Sequence, residues 1–337
     1  MGRRRHTVSC GNRMCRSFGP THLLSKPPTH ALTDAAAKPT IAQSLEALTA
    51  SMSNASRERQ PMLSINTDYV SGTGCAEPHL RRIAEAGFRH IHWCHHWSSD
   101  FLYTDPEIDQ IAAWLKEYDL ALLDLHASAG VEKNWVSARE YERLAGVELV
   151  RNRIAMTARL GADVVVMHLP SQPNAEGDAR DAFWRRAFAS LDALQPFARS
   201  HGVRIALENM IEGDTFGTIS RTFDRYDEDF VGLCYDSGHG NLRPDGLDEL
   251  DRLKDRLIAT HLHDNDGSGD QHRLLYSGAI DWPRLARIVA RSAYRKPITM
   301  EVLMDKGELE NERAFLERAR ETGTRFARTV QACRSQN

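Results

Sequence analysis

Asp163-Val-Val-Val-Met-His168 is four consecutive apolar residues that end on a histidine. The run is continuous rather than alternating, which predicts a strand covered on both faces, as in a parallel sheet sheathed by helices. Upstream, Arg139–Leu160 carries Ala, Leu, Val and Ile at helical spacing and closes at Gly161, a residue suited to a helix C-cap. Downstream, about Ala179 to Ser200 reads as a second helix. Val203-Arg-Ile-Ala-Leu-Glu208 then repeats the apolar run with a polar end.

The same unit recurs in both directions. Strands are predicted at Met62–Asn66, Phe88–Trp93, Leu120–His126, Phe230–Asp236, Leu257–His261 and Pro297–Val302. Helices are predicted at about Glu77–Ala86, Ile108–Tyr118, Thr218–Tyr226, Leu247–Arg256, Pro283–Ser292 and Glu308–Arg334. Eight strand–helix units within residues 62–337 fit an α/β fold of the (β/α)₈ TIM-barrel type, which takes ~250 residues. A doubly wound open sheet needs a Gly-rich phosphate loop after its first strand. Tyr69-Val-Ser-Gly-Thr-Gly74 lacks that spacing, which favours the barrel.

Residues 1–61 are a different kind of sequence. They hold nine Lys/Arg against three acids (Asp34, Glu46, Glu58), open on Arg3-Arg4-Arg5, and show no sustained period. Such a stretch buries too little apolar surface to offset its ordering entropy, so a disordered or irregular N-terminal extension is expected. Its Arg-rich, acid-poor start resembles an organellar transit peptide; the plainer reading is a tail, or sequence upstream of a true start at Met52 or Met62. Little function is expected before Met62.

Composition narrows the function. The net charge is −3, with 41% hydrophobic and 26% charged residues, and no run approaches the ~20 apolar residues of a membrane span. A generally basic nucleic-acid coat is excluded. Six scattered cysteines without a CxxC pair fit a reducing compartment, and a cytoplasmic location is expected.

Six strands end on His126, His168, Glu208, Asp236, His261 and Glu301. A TIM barrel gathers the carboxyl ends of its strands around one mouth. Carboxylates crowded there repel and raise one another's pKa unless a cation offsets them. Imidazole and carboxylate donors together suit Zn, Mn, Fe or Co. His239, three residues past Asp236, and the pair Asp270 and His272 extend the set. Asp264 and Asp266 are expected only to order a turn with Asn265 and Gly267. His263, beyond the end of the seventh strand, is expected to point away from the barrel. His95 and His96 are at most substrate contacts, Cys94 is ordinary, and Trp93 and Trp135 are candidates to stack on a sugar.

The matching motifs are Asp124-Leu-His126, Val166-Met-His168-Leu-Pro170, Leu207-Glu-Asn209, Tyr235-Asp-Ser-Gly-His239, Thr260-His-Leu-His-Asp-Asn-Asp266, Asp270-Gln-His272 and Thr299-Met-Glu301. Together they resemble the xylose isomerase-like TIM-barrel superfamily, over about Met62 to the C-terminus. That superfamily holds sugar-phosphate isomerases and epimerases and the endonuclease IV type of nuclease. For the isomerase branch the resemblance implies one divalent metal on Glu208, Asp236, His261 and Glu301. Proton transfer alpha to a metal-polarised carbonyl would then run through Glu208 and Glu301, with His239 on a substrate hydroxyl. For the nuclease branch it implies up to three ions, with His126, His168, His239, Asp270 and His272 as additional metal ligands, and cleavage of abasic DNA or another phosphodiester. The sequence departs from the ketose 3-epimerases, which carry an Arg where Gly267 stands and a second acid for which Asp214 is the nearest substitute. It departs from the nucleases in its Ser/Gly/Asp-rich loops. The expectation is therefore a metal-dependent isomerase or epimerase with a small-molecule sugar or sugar-phosphate substrate, no nucleic-acid or membrane partner, and a homo-oligomeric state. Arg243 and Arg273 are the candidates to touch phosphate if the chemistry is instead phosphodiester hydrolysis.

Overall fold

The computed structural model describes residues 61–170, 172–173, 177–304 and 311–336. The expected extension, residues 1–61, lies outside them except for its last residue. Eight strands form one sheet in the order β7-β6-β5-β4-β3-β2-β1-β8. They are β1 (Leu63–Asn66), β2 (His90–Trp93), β3 (Ala121–His126), β4 (Val164–His168), β5 (Arg204–Glu208), β6 (Val231–Asp236), β7 (Leu257–His261) and β8 (Ile298–Met300). The registers are parallel throughout, as in Val164 opposite Arg204 and Leu63 opposite Ile298. Between β7 and β8 the sheet closes just past the strand ends. The Leu262 amide donates to Thr299 (3.0 Å) and the Glu301 amide to Leu262 (3.1 Å). This is the expected (β/α)₈ barrel.

The helices are α1 (Glu77–Glu85), α2 (Asp105–Glu117), α3 (Glu140–Arg159), α4 (Asp178–Ser200), α5 (Thr215–Phe223), α6 (Ser237–Asn241), α7 (Gly246–Leu253), α8 (Trp282–Arg291) and α9 (Glu312–Arg334). Local chemistry sets their starts. Thr104 and Glu107 form a capping box ahead of α2, and the Asp281 carboxylate accepts from the Arg284 amide (2.9 Å) at the head of α8. α5 begins three residues before the predicted helix because Asp214 caps it, accepting from the Gly217 amide (2.9 Å). The predicted helix over 247–256 divides into α7 and a 3₁₀ turn at Lys254–Arg256. Among the described residues no helix is long and apolar enough to cross a membrane.

The main apolar core lies between strands and helices, and Leu80, Ile83, Phe315 and Phe326 within it are fully buried. Burying each such side chain contributes ~1.5–3 kcal/mol. α9 lies close on the barrel wall at Gly323, where a β-carbon would stand 2.6 Å from the Met300 sulfur. A second, small apolar cluster, Val164, Val166, Ala206, Cys234 and Ala259, fills the interior of the barrel on four neighbouring strands. Side chains two apart on a strand share a face. Val166 is therefore followed inward by His168, Ala206 by Glu208, Cys234 by Asp236 and Ala259 by His261.

Candidate metal centre at the carboxyl end of the barrel

The strand-end donors meet above that apolar layer in three adjoining groups. In the first, His126, His168 and Glu208 bring together Nε2, Nε2 and a carboxylate oxygen. The two imidazole nitrogens stand 3.1 Å apart, and Glu208 Oε2 is 3.3 Å from His168 and 3.7 Å from His126. In the second, the carboxylates of Glu208 and Glu301 converge on one ring nitrogen, His261 Nδ1, at 3.3 and 3.0 Å. In the third, Asp236 Oδ2 lies 3.1 Å from His263 Nε2, and Asp270 lies 3.3 Å from His239 Nε2 and 3.1 Å from His272 Nε2. His239 links the groups: its Nδ1 is 3.5 Å from Glu208 and 3.6 Å from Asp236. Of the four residues expected to share one ion, Glu208, His261 and Glu301 thus face one another, while Asp236 faces His239 and His263.

The backbone fixes which nitrogen each imidazole offers. His126 Nδ1 donates to the Ala127 carbonyl (2.8 Å), His239 Nδ1 to Asn209 (2.8 Å) and His272 Nδ1 to Glu301 (3.0 Å). A carbonyl only accepts, so each neutral ring keeps its proton on Nδ1 and turns the Nε2 lone pair toward the carboxylates. Asn209 braces the same region, donating to the Asp236 carbonyl (2.9 Å) and accepting from the Asp236 amide (2.8 Å).

These groups fit a divalent cation. Among the described residues, Glu208 Oε2 and both ring nitrogens of His261 are buried and make no hydrogen bond, a costly state for polar atoms unless something binds them. The electrostatics point the same way. Burial alone would lift the Glu208 carboxyl, yet the neighbouring His261 and His168 rings hold it well below the usual carboxylate range. Burial would lower His239 and His272, but Asp236, Asp270 and Glu208 push the first up to about 11, and Asp270 and Glu301 push the second up to about 10. The carboxylates therefore favour positive charge in their midst, and a metal ion competes for it with protons.

Several expectations need correction. His263 does not point away: the two-residue period that orients His261 continues past the end of β7, so His263 faces the same interior. It is fully buried, with its ring stacked on His272 at 4.0 Å. Gly238 makes this arrangement fit, since a β-carbon there would collide with the His263 ring. Trp93 and Trp135 are buried packing residues, Trp93 donating to the Tyr103 hydroxyl (2.9 Å). The aromatic beside the donors is Trp97, 5.0 Å from the His126 ring and 5.2 Å from that of His168. His95 is bonded to the Thr67 hydroxyl (3.1 Å) and His96 stacks on Phe101. Cys94 is less ordinary than expected, because its sulfur lies close to ring and carboxylate atoms of His92 and Glu301. Burial pushes its thiol well up. Asp264 does more than order its turn: besides accepting from the Asn265 amide (2.9 Å) it accepts from the Trp282 indole (2.8 Å) at the head of α8. Asp214 is occupied as the cap of α5. Unforeseen is a wholly buried pair beneath the mouth, His92 Nδ1 and Asp124 Oδ1 at 2.7 Å, with the His92 ring 4.5 Å from His261.

A closed parallel barrel with histidines and carboxylates gathered at its carboxyl end defines a class, and the chain is a member of it. Residues 80–323 match the family model described as xylose isomerase-like TIM barrel, so the protein belongs to that family. It is 34% identical over 279 residues to the uncharacterized protein y4fM of Sinorhizobium fredii, covering 76% of this chain and 89% of that one. A probable endonuclease 4 of Staphylococcus saprophyticus is 26% identical over 202 residues, covering 54% of this chain and 66% of the relative. Among solved structures, a D-tagatose 3-epimerase-like protein superposes with a TM-score of 0.66 at 19% identity, covering 80% of this chain and 98% of that chain. At that identity the likeness speaks for the fold.

Proposed function

We propose that the protein is a divalent-metal-dependent isomerase or epimerase acting on a sugar or sugar phosphate. The observation that carries this reading is the meeting of two carboxylates, Glu208 and Glu301, on His261 in a buried pocket where Glu208 Oε2 and both His261 ring nitrogens make no hydrogen bond among the described residues. Glu208, Asp236, His261 and Glu301 would hold one ion of Zn, Mn, Fe or Co. When bound, the ion supplies Lewis acidity to a substrate carbonyl. One glutamate takes the proton from the adjacent carbon and the other delivers one, a role that asks for carboxylates within reach of the same carbon. His239 is anchored through Nδ1, and its Nε2 would take a substrate hydroxyl in place of Asp270, which lies 3.3 Å from it. Trp97 offers a flat apolar face to the sugar's C–H groups.

The charge around the mouth suits a small substrate. Arg243 and Arg273, the loop cations nearest in sequence to the donors, are paired with Asp245 (3.4 Å) and Asp266 (3.4 Å) rather than free for a phosphate backbone. The catalytic unit in this reading is residues 62–337, in the cytoplasm and as a homo-oligomer, with residues 1–61 outside it.

A second reading is an endonuclease IV-like phosphodiesterase holding up to three ions. It is favoured by the two additional donor groups, His126 and His168 with Glu208, and His239, Asp270 and His272 beside His263. One experiment separates the two. Protein purified without added metal is assayed for metal content, for deuterium uptake at the carbon next to the carbonyl of ketoses and ketose phosphates, and for cleavage of abasic duplex DNA. One ion with exchange supports the isomerase; three ions with strand cleavage sinks it. Exchange unchanged in Glu301→Gln with the ion still bound would remove the glutamate from its role.

A further inference from the structure

At the opposite, amino end of the barrel a groove of about 430 Å³ runs between the chain entering β1 and β8 and the last turns of α9. Arg295, Lys296, Arg328 and Arg334 line it, over an apolar floor that includes Pro297 and Val330, and no carboxylate of the described residues does. Many arginines of the helical shell sit on acids, as Arg143 does on Glu140, Arg159 on Asp105 and Arg313 on Glu317, while a few, such as Arg256, donate to carbonyl oxygens.

In the groove, Arg295 and Arg334 both donate to the same acceptor, the Tyr294 carbonyl oxygen, at 2.8 and 2.5 Å. Two guanidinium groups are thus held side by side with one neutral oxygen between them. The Nε of Arg334 is buried without a partner, and Arg328 has neither ion pair nor hydrogen bond among the described residues. Burial and the neighbouring Arg295 charge both lower the pKa of Arg334, as expected where a counter-charge is missing. Lys296 alone is paired, with Asp163.

We propose that this groove is an anion site for the phosphate group of a small molecule, held by Arg295, Arg328 and Arg334 and separate from the metal centre. Guanidinium forks match phosphate oxygens in geometry and charge, and a bound phosphate relieves the repulsion between Arg295 and Arg334. The proposal is independent of the reaction assigned to the mouth.

The test is the melting temperature of the full chain with millimolar inorganic phosphate, against sodium chloride at equal ionic strength. A saturable rise of about 2–4 °C with phosphate is expected, as for a ligand that binds only the folded state. The rise persists in Glu208→Gln and is lost in Arg295→Gln/Arg328→Gln, whose two positions are exposed. No rise, an equal rise with chloride, or a rise unchanged in the arginine variant overturns the site. So does loss of the rise in Glu208→Gln, which would place the phosphate at the metal centre.

Discussion

The inside and the outside of this barrel are built from the same eight strands and do opposite things. Outside, the strands turn Leu, Ile and Val to the helices, which bring Phe and further apolar residues, and the result is a large continuous core. Inside, five small or branched residues make one shallow apolar layer, and the next inward positions are His168, Glu208, Asp236 and His261. A shift of two residues along a strand therefore separates a stabilising position from a chemical one. The inner wall gives up apolar contact so that charge can be held there, and the outer wall supplies the stability that makes this affordable.

Breaking the inner wall should have the largest effect on activity. Glu208→Gln is expected to lower proton exchange by ~10²–10⁴-fold, read as deuterium uptake by the substrate, with the melting temperature little reduced. Breaking the outer wall should do the reverse. Phe315→Ala is expected to cost ~3–5 kcal/mol in urea unfolding while the metal stoichiometry of the folded protein is unchanged. If Phe315→Ala changed the stoichiometry, the two walls would not be independent. A smaller effect is expected at Gly238→Ala, which pushes the His263 ring out of place: metal affinity should fall ~10–100-fold in a calorimetric titration, with the fold intact.

The smallest effect sharpens the comparison away from the candidate metal donors. Burial of His95, with a lesser contribution from the His79 and His96 charges, lowers its pKa from 6.5 to about 4. Between those values the unfolded chain binds the proton and the folded chain does not, so stability falls as pH drops from 6.5 towards 4. His95→Phe should flatten that part of the melting curve against pH; an unchanged slope would assign the acid sensitivity to other groups.

Much of this was legible in the residues. The strands announced themselves because strands covered on both faces carry unbroken apolar runs, and each run's polar end marked the mouth. What escaped notice depended on partners far away in the chain. α6 reads as a loop because Ser237-Gly-His-Gly-Asn241 carries two glycines, and only Asp236 at its head and the packing around it make it helical. His263 follows the two-residue period of β7 past the strand's last residue, where the apolar run that marks a strand has already ended. Trp97 carried a weak signal, standing directly after the His95-His96 pair. The pairing of His92 with Asp124 was written in two separate strands, and only their adjacency in the sheet joins them.

The place where the sheet closes has a consequence of its own. β7 and β8 are clasped by amides at Leu262 and Glu301, and the side chains flanking that clasp, His261, His263 and Glu301, belong to the donor groups. An ion gripped by them would act as a rivet across the last joint of the ring. Loading the centre should then slow amide exchange at Leu262 and Glu301 more than anywhere on the far side of the barrel, so that the protein locks its own hoop shut as it becomes competent.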